Sequence, residues 1–274
     1  MSTSDSKRFV RVAALQLCSG DSVEENLERA EALLRRAADA GARVAGLPEN
    51  FTFMGPEEGK PGVSEPIEGP SLTRLRALAR ELSLAIVAGT IPEPAGEGRV
   101  RATSVLIGED GLDRAVYRKI HLFDVDLPGE ESYRESDVIS RGSEIVTGDA
   151  AGLRHGLSVC YDLRFPELFR ALEQAGARVA WCPAAFTLQT GKDHWEVLLR
   201  ARAIENGIFV VAPAQFGTHP TGRQTYGNAL IADPWGKVLA RAPDTGDALA
   251  VADLDLEQAG EIRRRLPTAS HHVL

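Results

Sequence analysis

The apolar positions of this chain fall into short, nearly continuous runs separated by amphipathic stretches, and that alternation fixes most of the predicted elements. FVRVAALQL at 9–17 has strand length, and Ser22 with Glu25 three positions later is a capping-box signature for a helix running to about Gly41. ARVAGLP at 42–48 and LAIVAGT at 84–90 predict further strands, with a helix from Ser71 to near Leu82 between them. ATSVLIG and DRAVYRK flank Glu109, Asp110 and Gly111, which predicts a hairpin. GLSVC then predicts a strand, followed by a helix with Pro166 in its first turn, where a missing N–H costs little. RVAWCP at 178–183, a helix around HWEVLLRARAIE and the strand-sized run IFVVAPAQF at 208–216 continue the series. NALIADPWGKVLA predicts a hairpin around Pro234 and Gly236, ALAVADLD a last strand and LEQAGEIRRRL a last helix. Strands alternating with helices and interrupted by hairpins predict a layered α/β domain with a mixed sheet. No low-complexity linker divides the chain, so residues 9–274 read as a single domain after a disordered, polar tip at 1–8. Two long segments, 49–70 and 121–148, are polar and contain Gly and Pro, and loops of that length in a compact domain are typically functional.

Composition narrows the classes. Of 274 residues, 43% are hydrophobic and 26% charged, which excludes disordered and fibrous chains. The net charge of −8 argues against a nucleic-acid partner or an anionic membrane surface. No apolar run approaches the roughly 18 residues that cross a bilayer. The opening MSTSDSKRFVRVAALQLC is broken by Arg11 and lacks a small-residue cleavage site, so no signal peptide is expected. Cys18, Cys160 and Cys182 are too few and too scattered for a disulfide framework, which favours a reducing, cytoplasmic setting and leaves a thiol available for chemistry. Neither a phosphate loop nor a dinucleotide fingerprint is present. GLSVC lacks the last glycine of a serine-hydrolase elbow, and His194 to Glu196 lack the P-C-x-x-C of a zinc deaminase. His271 and His272 have no partner ligands at metal spacing, so neither metal nor cofactor is expected.

What remains is Glu49, Lys119 and Cys160, each closing an apolar strand, where open α/β sheets place their ligands. Singly, Cys160 also reads as a small buried hydrophobe, and Glu49 and Lys119 as surface charges. The lysine carries extra information because the chain uses 26 Arg and only 5 Lys, and a point charge differs from a planar fork. Together the three are complementary. A thiol with a pKa near 8.5 needs a base or a cation beside it. An ammonium about 4 Å away is worth roughly 4 kcal/mol at an effective dielectric of 20, enough to move that pKa by about three units. Glu49 then serves as general base if burial raises its pKa from about 4.3 toward neutrality. The ammonium and the backbone N–H after the cysteine are natural oxyanion donors. These parts make an acyl transfer through a thioester.

The stretches GLPENFTF, YRKIHLFDVDLPG, RESD, LSVCYDLRFPELFRAL, HWEVLLRARAIEN and the DPWG turn resemble the nitrilase superfamily of carbon-nitrogen hydrolases, from Phe9 to about Pro267. The separations of 70 residues from Glu49 to Lys119 and 41 from Lys119 to Cys160 are similar to that family's pattern. Within it, CYDLRFPE and HWEVLLRARAIE resemble the branch of deaminated-glutathione amidases and omega-amidases. Nitrilases proper tend to follow the nucleophile with Trp-Glu, where this chain has Tyr161 and Asp162.

The resemblance implies an α/β/β/α sandwich that dimerises through helices, and a hydrolase of carbon-nitrogen bonds other than peptide bonds. It implies Glu49 as base, Lys119 as oxyanion stabiliser, Cys160 as nucleophile, the backbone N–H of Tyr161 as second oxyanion donor, and Glu135 as a second glutamate. On the residues alone Glu135 is one of several acids, with Glu130 and Glu131 as rivals. The reaction expected is cleavage of a small carboxylate-bearing amide with release of ammonia, deaminated glutathione being the first substrate and a 2-oxo acid amide the alternative. Arg164 suits a bidentate grip on a carboxylate, against pairing with Asp162 or Glu167. Thr187 and Thr190 resemble the segment that offers hydroxyls to that carboxylate. Cys18 and Cys182 read as packing residues, His121 as structural, and Trp195 with Val197, Leu198 and Leu199 as helix core or subunit interface. A chain that kept the fold without the chemistry would be a silent binding or scaffold protein.

Overall fold

The computed structural model describes residues 8–126, 132–271 and 273. The first half runs β1 (Phe9–Leu17), α1 (Val23–Asp39), β2 (Val44–Gly46), α2 (Pro70–Leu82), β3 (Ala85–Gly96), β4 (Arg99–Ile107) and β5 (Asp113–Arg118). A small antiparallel pair follows, β6 (Asp124–Val125) with β7 (Tyr133–Arg134). The second half runs β8 (Thr147–Ala150), β9 (Leu153–Leu157), α3 (Pro166–Gln174), β10 (Val179–Trp181), α4 (Leu188–Asn206) and β11 (Phe209–Ala212). It ends with β12 (Ala214–Thr218), β13 (Gln224–Tyr226), β14 (Leu230–Ala232), β15 (Val238–Arg241), β16 (Ala248–Asp255) and α5 (Leu256–Arg265).

Two mixed sheets result. The first has the order β13-β12-β1-β2-β3-β4-β5, with β16 also pairing antiparallel along β1. The second has the order β15-β14-β11-β10-β9-β8, parallel at β9-β10-β11 and antiparallel outside them. Alternation along β1 shows how the layers form. Val10, Val12 and Ala14 pack into the core shared with the second sheet, whereas Ala13, Leu15 and Leu17 pack with Leu27 and Leu33 of α1 and Leu72 and Leu75 of α2. Phe169 of α3 and Trp195 and Leu199 of α4 cover the far side of the second sheet, which completes an α/β/β/α sandwich. The sheets meet closely at Gly46, where a Cβ would lie 2.5 Å from the buried Trp181 ring.

Local signals explain the helix ends. Ser22 accepts a bond from the Glu25 N–H at 3.4 Å and caps α1, while Pro166 opens α3. Three expectations change. The run 208–216 is not one strand: Pro213 separates β11 in the second sheet from β12 in the first, because a residue without an N–H cannot continue the ladder. GLSVC is not strand to its end, since β9 stops at Leu157 and Cys160 opens a tight 3-10 turn, Cys160–Arg164. Arg8, assigned to the tip, is tied to Asp255 at 2.8 Å and to Glu257 at 3.1 Å; residues 1–7 lie outside the described residues. The long segments hold 3-10 turns at Glu57–Val63 and Glu135–Asp137. Among the described residues no helix is long and apolar enough to cross a membrane.

Candidate active site

Each of the three chemical side chains leaves the end of a strand on a segment fixed by backbone contacts. Glu49 follows β2, and its neighbour Asn50 adopts φ +57°, a left-handed conformation that Asn tolerates. The Asn50 N–H bonds Thr90 Oγ1 at 2.7 Å, and the Gln215 amide donates to the Glu49 carbonyl at 3.0 Å. Here β3 passes so close that a Cβ on Gly89 would lie 1.8 Å from the Pro48 carbonyl oxygen, so glycine is required. Lys119 directly follows β5, with its N–H on the Ala102 carbonyl at 3.0 Å. Cys160 donates its N–H to the Pro183 carbonyl at 2.9 Å and sits at φ +48°, a strained position for a residue with a side chain.

Asp162 holds that strained turn. Its fully buried carboxylate accepts the Val159 N–H at 2.8 Å, the Tyr117 hydroxyl at 2.6 Å, the His121 N–H at 3.1 Å and the His121 Nδ1 at 2.7 Å. One carboxylate therefore links the cysteine turn to both sides of Lys119. His121, also stacked on Phe165 at 3.7 Å, is a brace behind the site, as the sequence predicts.

The heads converge. Lys119 Nζ lies 2.8 Å from Glu49 Oε1 and 2.8 Å from each oxygen of Glu135. Glu135 is further held by the Phe123 N–H at 2.6 Å, and Glu49 Oε2 accepts the Ala185 N–H at 3.0 Å. The Cys160 thiol is hydrogen-bonded to Glu49 and contacts the Ala185 backbone. Lys119 and Glu49 are 1% and 3% exposed, so their fields are little screened by water.

The charge balance differs from the sequence expectation in two ways. Burial pushes the Glu49 carboxyl up, but the Lys119 ammonium, the hydrogen bonds from Lys119 and Cys160, and the Arg223 charge hold it below its ordinary value. Burial and the adjacent Glu49 push the Cys160 thiol well above its ordinary value, against the opposing Lys119 charge. One ammonium faces two carboxylates, so little of its field is left to make a thiolate. Burial works against the Lys119 charge, yet Glu135 and Glu49 keep the ammonium protonated far above its usual range. The resting pair is a carboxylate and a neutral thiol.

A cleft of about 500 Å³ opens over this cluster. Glu49, Lys119, Cys160, Glu135, Tyr161, Arg164, Thr187 and Thr190 all line it, so the structure brings every sequence-predicted site residue to one place. Glu130 and Glu131, the rivals of Glu135, lie outside the described residues. Arg164 pairs with neither Asp162 nor Glu167 among the described residues. Its guanidinium lies 5.8 Å from the Tyr161 ring centre and 5.2 Å from that of Phe186, and it contacts His194 Nδ1 at 3.1 Å. Thr187 caps α4 by accepting the Thr190 N–H at 3.3 Å, and the two hydroxyls bond at 2.9 Å. The sequence reading missed Arg223, Glu57, Tyr133 and Phe186 in the lining. For Arg223 the available signal was a polar turn, HPTGR, close to the chain's switch between sheets. Cys182 is buried as predicted and Cys18 is half-buried. Trp195 is core, bonded to the Asn228 carbonyl at 2.8 Å. Among the described residues no group of three His, Cys, Asp or Glu is placed to hold a metal ion.

The sandwich and this cluster define a hydrolase of carbon-nitrogen bonds. The family model for carbon-nitrogen hydrolases matches residues 11–264, and the chain belongs to that family. It is 44% identical over 266 residues to a deaminated glutathione amidase of Synechocystis sp., covering 95% of this chain and 97% of that protein. It is 37% identical over 257 residues to omega-amidase NIT2 of Homo sapiens, covering 94% and 92% respectively. Among solved structures, Saccharomyces cerevisiae Nit3, a member of branch 10 of the nitrilase superfamily, aligns with a TM-score of 0.85 at 31% identity, covering 95% of each chain.

Proposed function

We propose that this protein hydrolyses a small carboxylate-bearing amide through a thioester on Cys160. The observation that carries the reading is the Glu49 carboxylate, which bridges Lys119 at 2.8 Å and the Ala185 N–H at 3.0 Å while accepting the Cys160 thiol. Because the resting thiol is neutral, Glu49 takes its proton as the sulfur attacks the carbonyl carbon. Protonation weakens the grip of Glu49 on Lys119, and an ammonium donor turns with the Tyr161 backbone N–H to the new oxyanion. The amine leaves with the proton held by Glu49. Water, activated by the same carboxylate, then cleaves the thioester to the acid. Glu135 keeps Lys119 charged and oriented throughout.

Arg164 at the cleft suits a substrate carboxylate, with the Thr187 and Thr190 hydroxyls beside it. The names of the Synechocystis and human relatives support deaminated glutathione first and an omega-amide of a 2-oxo acid second. These two differ in leaving group. Glutathione carries no primary amide, so its deaminated form would release a cysteinylglycine amine, and ammonia release belongs to the second substrate. Assaying both products separates them. Cys160→Ala should keep the fold and abolish either release, and retained hydrolysis in that variant would move the nucleophile elsewhere. A silent scaffold predicts no turnover with any amide.

A homodimer formed through helices is supported by Val197 and Trp235, 66% and 65% exposed on α4 and the β14–β15 turn. Sedimentation of Val197→Glu beside the parent chain tests it. Three free cysteines support a reducing, cytoplasmic setting.

A further inference from the structure

The turn between β12 and β13 brings to the cleft a guanidinium that makes no bond to the three reacting groups. Arg223 Nη2 donates to the Ala185 carbonyl at 2.8 Å, and Ala185 is the residue whose N–H holds Glu49 Oε2 at 3.0 Å. The same guanidinium lies 5.1 Å from the ring centre of Tyr133, two residues before Glu135. Its Nε is buried with no hydrogen-bond partner among the described residues.

We propose that Arg223 is a positioning residue for the general base: it fixes Ala185 at its carbonyl so that the Ala185 N–H aims Glu49 at the Cys160 thiol. The proposal rests on the assignment of Glu49 and Cys160 given above. The groups facing the Glu49 carboxyl are Lys119 from the end of β5, Cys160 from the turn after β9, the Ala185 N–H, and the Arg223 charge from the β12–β13 turn, with Glu135 acting on the shared Lys119. Glu57, Arg134 and Arg164 line the same cleft. The Arg223 charge helps to hold both Glu49 and Glu57 ionised. Removing it lets the pKa of the base rise toward its ordinary value and loosens the N–H that orients it.

The test follows the rate of Cys160 alkylation by iodoacetamide against pH, read by peptide mass spectrometry, together with kcat and KM for the amide turned over. In Arg223→Gln, alkylation near neutral pH and kcat both fall by about 10-fold to 100-fold, as expected for a misaimed reacting group. The acid limb moves to higher pH, and KM changes little. Arg223→Lys restores the position of that limb while recovering only part of the rate, since an ammonium supplies charge without the fork. Arg223→Met is measured alongside, so that a fold defect in one variant, seen by circular dichroism, leaves the others readable. An unmoved acid limb with unchanged alkylation overturns the proposal, as does a rise in KM at constant kcat, which would make Arg223 a substrate anchor. Glu49→Gln separates the two levels. If it leaves alkylation unchanged, the base assignment itself fails; if it suppresses alkylation while Arg223→Gln does not, only the role of Arg223 fails.

Discussion

Asp162→Asn tests the framework that holds the cysteine turn. The carboxylate is fully buried and receives two donors on each oxygen: the Tyr117 hydroxyl and Val159 N–H on Oδ2, the His121 N–H and Nδ1 on Oδ1. An amide of the same shape offers one oxygen and one NH2, so whichever orientation it takes, a backbone N–H faces another donor. The Tyr117 hydroxyl can turn to accept, and the His121 ring can change tautomer, but the Val159 or His121 N–H cannot adapt. A buried unsatisfied donor costs about 1–3 kcal/mol, and the remaining bonds lose charge assistance worth about 1 kcal/mol. We expect Asp162→Asn to cost about 3 kcal/mol and Tyr117→Phe, which leaves the other donors in place, about 1 kcal/mol. Urea unfolding of both single variants and the double variant measures this, and coupling should make the double less costly than the sum. Because the N–H of Val159 precedes the strained Cys160, Asp162→Asn should also lower kcat. Stability within about 0.5 kcal/mol of the parent with unchanged kcat would refute the account.

Further outcomes follow from the same contacts. Gly46→Ala places a Cβ 2.5 Å from Trp181 and 2.8 Å from Pro213, both in the core between the sheets, so it should destabilise by about 1–3 kcal/mol in chemical denaturation while leaving the cleft chemistry intact. Since Glu49 is held low and the thiol and Lys119 are held high, kcat/KM should be flat across neutral pH, falling only below the ordinary glutamate range of about 4.3; a half-titration between pH 6 and 8, of the kind a thiolate mechanism gives, would contradict this. His155 and His219 are buried with pKa values lowered to about 4, so each stays neutral in the fold while the unfolded chain takes up a proton below about 6.5. Stability should therefore be complete above about pH 6.5 and decline as pH falls toward 4, by about 3 kcal/mol for each group. Urea midpoints that do not change between pH 7 and 4.5 would count against these two buried imidazoles.

The sequence by itself determined the elements and the cast of the site. Period-two alternation in FVRVAALQL, the Ser22 cap and the Pro166 helix start are short-range signals, and each becomes the element it predicts. Glu49, Lys119 and Cys160 were legible as polar groups ending apolar runs, and their meeting in one cleft follows from the layer architecture those runs encode. The fate of the run at 208–216 was not legible, because hydropathy does not say to which sheet a residue after Pro213 belongs. Nor was Arg223, whose value depends on Ala185 and Tyr133, far away along the chain. The sign of the charge balance was decided only by tertiary structure. A lysine beside a cysteine lowers a thiol pKa, but a lysine shared by two carboxylates in a dry site does not, and that sharing is a sum of fields from segments that touch only when the sheets pack.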